Sequence, residues 1–175
     1  MQSSSAWAGK SAGSPARAAS FFFVNDRPDL ALATEADGLH IGQDDLPVPV
    51  VRALFAAAGR ECFLGKSTHS LEQAVKTSQE AVDYIGVGPV FATPTKPHYG
   101  SVGTDLVRQV SQAVELPFVA IGGIDLNNLN KVLESGARRV AVVRAIMEAE
   151  DFDEATRSFR QSLDRHAQGS ALHAG

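Results

Sequence analysis

From residue 21 the chain repeats one pattern: a short apolar run, a polar or glycine-rich cluster, then an amphipathic stretch. Phe21–Val24 leads into Asn25-Asp26-Arg27 and a helical pattern from Pro28 to Glu35, with Pro28 suited to the first turn. Gly38–Ile41 leads into Gln43-Asp44-Asp45, and the helix predicted over Pro49–Ala58 ends at Gly59. Cys62–Leu64 precedes Gly65-Lys66-Ser67-Thr68-His69, after which Ser70 caps a helix through Gln79. Tyr84–Val87 precedes the run Thr93-Pro94-Thr95-Lys96-Pro97, and Asp105–Val114 is helical. Phe118–Ala120 precedes Ile121-Gly122-Gly123-Ile124; Asp125 or Asn127 caps the next helix, which Gly136 closes after Ser135. Val140–Val143 precedes Arg144-Ala145, a last helix spans Phe152–His166, and the tail after Gln168 looks loose.

Strand and helix in strict alternation imply a parallel α/β sheet with right-handed crossovers. Such a sheet is either an open doubly wound layer or a TIM-type (β/α)8 barrel. Every predicted strand ends in polar or glycine-rich residues, as strands do when their C-terminal ends share one mouth. The last two end in Ile121-Gly122-Gly123 and Val143-Arg144-Ala145, where a barrel places its phosphate site. No Gly-x-Gly-x-x-Gly follows the first strand, as a dinucleotide fold would require. The barrel type is therefore expected, with about six of the eight units. The two units not seen are expected on the N-terminal side. Residues 21–168 form the barrel domain, 1–20 a disordered or transit-like tail, and 169–175 a loose C-terminal tail.

With 175 residues and 44% hydrophobic content, the chain can build one real core. Its net charge of −4 offers no basic footprint for nucleic acid. No apolar run approaches the ~20 residues of a membrane span. The lone Cys62 leaves no internal disulfide and suits a reducing compartment. Residues 1–20 carry two cations and no acid, a composition shared by plain disordered tails and organelle transit peptides. The expected location is the cytoplasm, or a plastid if that tail is a transit remnant.

The candidate chemistry lies at the strand ends. Asp26 and Asp45 follow successive strands, whose neighbours in a sheet lie ~5 Å apart. Two carboxylates there suit Mg²⁺, which binds through one or two carboxylates plus substrate phosphates. Helix capping by Asp26 and simple solvation of Asp45 are the competing readings, and spacing alone does not separate Asp45 from Asp44. Asn25 adds an amide to the same place. The Thr93–Pro97 run holds hydroxyls and one ammonium between prolines, which fix a loop in shape; composition alone fits a surface turn equally well. Lys96 can follow charge growing on phosphate oxygens. Ser67 can donate to a phosphate, whereas His40 reads as an interior histidine with its partners satisfied. Gly122-Gly123 and the Val143-Arg144 turn offer backbone N–H groups to an anion. No cluster has zinc spacing, and no serine or cysteine has the surroundings of an activated nucleophile.

Five stretches in register carry a resemblance: VNDRPDLALATEADGLHIGQDDLP, GKSTHS, DYIGVGPVFATPTKP, AIGGI and GARRVAVVRAI. Over about residues 22–150 the chain resembles the thiamine phosphate synthases. The resemblance implies a (β/α)8 barrel that joins 4-amino-5-hydroxymethyl-2-methylpyrimidine diphosphate to thiazole phosphate, giving thiamine phosphate and pyrophosphate with Mg²⁺. It puts Asn25, Ser67 and Lys96 on the pyrimidine diphosphate, with Lys96 and Ser67 catalytic. Asp26 and Asp45 become the magnesium ligands. Thr93, Pro94 and Thr95 meet thiazole phosphate, whose phosphate sits at Gly123 and the Val143-Arg144 turn. Many members carry serine at position 144, so a hydroxyl contact there is lost. The implied partners are small molecules, with a homo-oligomer allowed for. The family's Gln-x-Arg-x-Lys strand has no counterpart here. Two cation contacts to the diphosphate, each ~1.5–3 kcal/mol, are then lacking, which would weaken turnover severely. Two other readings remain: a thiazole tautomerase, which does not need the acidic pair, and a non-catalytic barrel that binds thiazole phosphate or a partner chain.

Overall fold

A computed structural model of the chain describes residues 20–92 and 100–172. Six strands form one all-parallel sheet in chain order: β1 Phe23–Asn25, β2 Gly38–Ile41, β3 Phe63–Thr68, β4 Tyr84–Val87, β5 Phe118–Ile121 and β6 Val140–Ala141. A helix follows each strand: α1 Pro28–Ala33, α2 Val48–Ala57, α3 Leu71–Ser78, α4 Gly103–Ala113, α5 Leu129–Glu134, the single-turn α6 Arg144–Met147, and then α7 Phe152–Leu172. Sequential order in one parallel sheet is the order of a barrel wall. A doubly wound sheet would reverse direction at a switch point. The expected barrel-type α/β fold is the observed one, as a curled arc of six strands.

The two faces of the arc differ in chemistry. Leu39, Ile41, Leu64, Ile85, Val87 and Ala120 point to the helices and are completely buried. They pack with Val51 and Phe55 of α2, Val107 and Val110 of α4, and Val132 of α5. Each of the leucines, isoleucines and valines among them contributes about 1.5–3 kcal/mol on leaving water. On the inner face, large side chains sit over glycines one or two strands away. An added Cβ would fall 2.2 Å from the Phe23 ring at Gly38, 2.1 Å from the Tyr84 ring at Gly65, and 3.2 Å from the His40 ring at Gly86. These glycines let Phe23 and Tyr84 meet edge to face at 5.9 Å.

Local signals place three helix ends. Ser70 accepts a hydrogen bond from the Gln73 amide, as its capping role requires. Gly59 (φ 65°) and Gly136 (φ 100°) close α2 and α5; the following residues, Arg60 and Ala137, donate back to Phe55 and Val132. Several boundaries differ from expectation. β3 runs on through Thr68, because Lys66, Ser67 and Thr68 stay in register with Ile85, Gly86 and Val87 despite their polarity. Ser67 therefore lies inside the strand. β6 is two residues long, and Val143 leads directly into α6, a turn too short for periodicity to reveal. α7 continues to Leu172, so residues 169–172, expected to begin a loose tail, are helical. Among the described residues no helix is long and apolar enough to cross a membrane.

Candidate active site at the strand ends

The C-terminal ends of all six strands converge on one rim. At the end of β1, Asn25 is exposed and Asp26 adopts a left-handed backbone (φ 63°), its amide donating to the His40 carbonyl at 2.8 Å. The only other non-glycine at positive φ among the described residues is Glu35, just past the end of α1. Asp26 caps no helix: the residue at the start of α1 is Arg27, without a side-chain cap. An aspartate tolerates the left-handed region better than most residues, at a cost of about 1–3 kcal/mol, and such positions concentrate at functional sites.

At the end of β2 the Asp45 carboxylate accepts from the Gly42 amide at 2.6 Å. A side chain at residue 42 would crowd it, since an added Cβ would lie 3.1 Å from the carboxylate. Asp44 is exposed, whereas Asp45 is half-buried. Of the two acids that spacing could not separate, Asp45 is thus the one the loop holds in place. Asp26 and Asp45 are hard oxygen donors on adjacent strand ends, a set that fits Mg²⁺ better than a soft metal. The described residues contain no group of three or more acidic, histidine or cysteine ligands.

β3 delivers Ser67 and His69. Ser67 Oγ lies 2.9 Å from His40 Nε2, and the Ser67 carbonyl accepts from Gln43 Nε2 at 2.5 Å. The interior reading of His40 holds: its Nδ1 lies 3.0 Å from the Tyr84 hydroxyl. His69 Nδ1 lies 2.5 Å from the Gly88 carbonyl, which can only accept, so that nitrogen carries the proton.

The chain leaving β4 is fastened to β5. Val90 N donates to the Ile121 carbonyl and Phe91 N to the Gly122 carbonyl, each at 2.9 Å. On the return, Val102 N donates to the Pro89 carbonyl and Gly103 N to the Val90 carbonyl. Both ends of the loop carrying Thr93, Pro94, Thr95 and Lys96 are therefore anchored at the rim. Those four site residues themselves lie outside the described residues.

The double glycine after β5 has a structural duty that sequence reasoning missed. An added Cβ at Gly122 (φ 105°) would fall 2.5 Å from Pro89, and one at Gly123 (φ 62°) would fall 2.8 Å from Phe91 Cβ. Close packing of the β4 loop therefore demands glycine at both positions. The helix expected immediately behind them is displaced. Asp125 and Asn128 bridge a turn, with the Asp125 carboxylate accepting from both the Asn127 and Asn128 amides, and α5 starts only at Leu129.

A cavity of about 350 Å³ lies over the ends of β3 to β6. Its walls include Ser67, Gly123, Val143 and Arg144, four of the residues expected at the site. Asn25, Asp26 and Asp45 do not line it; they stand further along the rim, at the ends of β1 and β2. Val143 and Arg144 are exposed, and Arg144 opens α6. His69 and Glu148 also line the cavity. His69 was visible as a polar residue after the strand. Glu148 gave no signal, because it is placed by α6.

Comparison with known proteins agrees with this fold. The family model described as thiamine monophosphate synthase matches residues 5–146. A thiamine-phosphate synthase of Thermus thermophilus is 50% identical over 143 residues, covering 81% of this chain and 67% of that protein. One from Gloeobacter violaceus is 49% identical over 149 residues, but there the chain spans only 43% of the relative's length. Among solved structures, the thiamine phosphate pyrophosphorylase of Pyrococcus furiosus superposes with a TM-score of 0.76 at 36% identity, covering 83% of this chain and 68% of that one. A 3-hexulose-6-phosphate synthase structure, at TM-score 0.56 and 18% identity, shares the fold alone. On its own sequence, on its strand order and on these likenesses, the chain belongs to the thiamine monophosphate synthase family.

Proposed function

We propose that this chain joins 4-amino-5-hydroxymethyl-2-methylpyrimidine diphosphate to thiazole phosphate, releasing pyrophosphate and forming thiamine phosphate. The observation that carries the reading is the rim itself. Ser67, Gly123 and Val143-Arg144 surround one cavity, with Asp26 and Asp45 at the next strand ends of the same mouth. The pyrimidine's methylene C–O bond breaks, its electron pair leaving with pyrophosphate. The ring's electron-rich carbons stabilise the cation-like methylene that remains. The thiazole nitrogen then supplies the pair for the new C–N bond. Such a substitution needs leaving-group charge stabilised and two reactants aligned, with no protein nucleophile.

Each residue then has a definite task. Asn25, Ser67 and Lys96 contact the pyrimidine diphosphate, Ser67 and Lys96 donating to the departing oxygens. Thr93, Pro94 and Thr95 position thiazole phosphate, whose phosphate rests against Gly123 and the Val143-Arg144 turn. Mg²⁺ held by Asp26 and Asp45 would neutralise charge on the diphosphate. The inner face and the edge strands β1 and β6 suit self-association, so a homo-oligomer accompanies the reading. The buried, lone Cys62 fits a reducing, cytoplasmic setting.

The test is coupled turnover by the purified 175-residue chain with both substrates and Mg²⁺. Thiamine phosphate and pyrophosphate in equal amounts are expected. Isomerisation of the thiazole without pyrophosphate release would assign a tautomerase instead. Binding of thiazole phosphate with no product would assign a non-catalytic barrel.

A further inference from the structure

We infer that Tyr84 is a positioning residue for the diphosphate site, acting through His40 to aim the Ser67 hydroxyl proton into the cavity. The inference rests on the reading of Ser67 as a diphosphate contact. Its basis is a hydrogen-bonded chain on the inner face that crosses three strands: Tyr84 Oη to His40 Nδ1 at 3.0 Å, and His40 Nε2 to Ser67 Oγ at 2.9 Å. Tyr84 and His40 belong to β4 and β2, and they meet across β3 only because residue 65 is glycine. A Cβ there would lie 2.5 Å from the Tyr84 hydroxyl oxygen. The His40 ring is seated over Gly86 and lies 5.5 Å from the Tyr84 ring, centroid to centroid.

With His40 neutral, two proton arrangements satisfy these distances. In one, Tyr84 donates to Nδ1, Nε2–H donates to Ser67 Oγ, and the Ser67 proton is left for the cavity. In the other, Ser67 donates to Nε2, Nδ1–H donates to Tyr84, and the phenolic proton must find a different acceptor. Among the described residues the Tyr84 hydroxyl has no second partner, and Tyr84 is half-buried. The second arrangement would strand a phenolic proton in that setting, at the cost of an unmade hydrogen bond. A phenol is also the more acidic donor of the two hydroxyls. Burial pushes the Tyr84 pKa up to about 12, so its proton is present throughout the neutral range.

The first arrangement also has a consequence for binding. It turns Ser67 toward the cavity as a donor, complementary to a phosphoryl oxygen; the second would turn lone pairs toward the anion. Tyr84 thereby fixes the His40 tautomer, and the tautomer fixes the polarity of Ser67.

Nitrogen-15 NMR of the 175-residue chain reads the tautomer directly and independently of turnover. His40 is expected to carry its proton on Nε2, and Tyr84→Phe to move it to Nδ1 or to a mixture. Titration with inorganic pyrophosphate and Mg²⁺ supplies the second readout. Tyr84→Phe should weaken pyrophosphate about tenfold, Ser67→Ala by at least as much, and the double variant no more than Ser67→Ala alone. A wild-type His40 protonated on Nδ1, or a Tyr84→Phe loss that persists in full in the Ser67→Ala background, would overturn the inference. If the wild-type chain makes no thiamine phosphate, the functional reading fails while the tautomer and the double-variant comparison still decide the relay.

Discussion

At the scale of single residues, Tyr84 makes a prediction apart from catalysis. Burial holds its phenol neutral up to pH about 12, against about 10 in the unfolded chain. Below pH 10 both states keep the proton and the contribution is intact. Between 10 and 12 only the unfolded state releases it, so stability falls as pH rises through that window. Denaturant unfolding across pH 9–12 should show this decline, and Tyr84→Phe should flatten it; an unchanged slope would contradict the assignment. Asp45 offers a second check. Asparagine keeps an acceptor for the Gly42 amide but loses the charge, so Asp45→Asn is expected to stay within about 1 kcal/mol of wild type in stability. The same variant should lose Mg²⁺-dependent turnover. Lys96→Ala should impair use of the pyrimidine diphosphate far more than thiazole phosphate binding. Equal losses in both would remove Lys96 from its role.

At the scale of elements, two fastenings hold the rim and the base. Gly122 and Gly123 lock the β4 loop against β5, so Gly122→Ala must displace Pro89. A loss of about 1–3 kcal/mol is expected in unfolding, together with weaker binding of thiazole phosphate. Wild-type stability and binding would show the contact to be slack. At the opposite end Arg52 of α2 donates to the Ala81 carbonyl, the Cys62 carbonyl and the Asp83 carboxylate, and Asp83 also accepts from the Leu64 amide. Because this pair is about one-third exposed, its value lies in joining α2, β3 and β4 more than in charge. The element boundaries also show what sequence can carry. Ser70, Gly59 and Gly136 were legible because a cap is decided within a few residues. The length of β3 was not, because its polar end is held by β4. The true partners of Gly122 and Gly123 were equally hidden, since Pro89 and Phe91 stand some thirty positions earlier.

At the scale of the whole molecule, the arc divides its chemistry between two faces. The helix-facing side is a dry aliphatic layer, while the inner side carries Phe23, His40, Tyr84 and Ser67, and Ile121 there is 40% exposed. Barrel type and the gathering of strand-end residues at one rim were legible because both follow from the repeat of apolar run and polar end. Each strand advertises its own end residue, and topology alone brings those residues together. The place of Glu148 in the cavity wall was not legible, since it depends on how the single turn α6 packs. With β1 and β6 each paired on one side among the described residues, sedimentation should find a dimer or larger species; a concentration-independent monomer would contradict this. The central claim is that paired carboxylates and a phosphate cradle share one mouth. It is tested most directly by crystals grown with Mn²⁺ and pyrophosphate, with the metal located by its anomalous scattering. The account predicts one ion coordinated by carboxylate oxygens of both Asp26 and Asp45, with pyrophosphate bound between it and Ser67. Metal bound to neither aspartate, or pyrophosphate away from the strand ends, would contradict it.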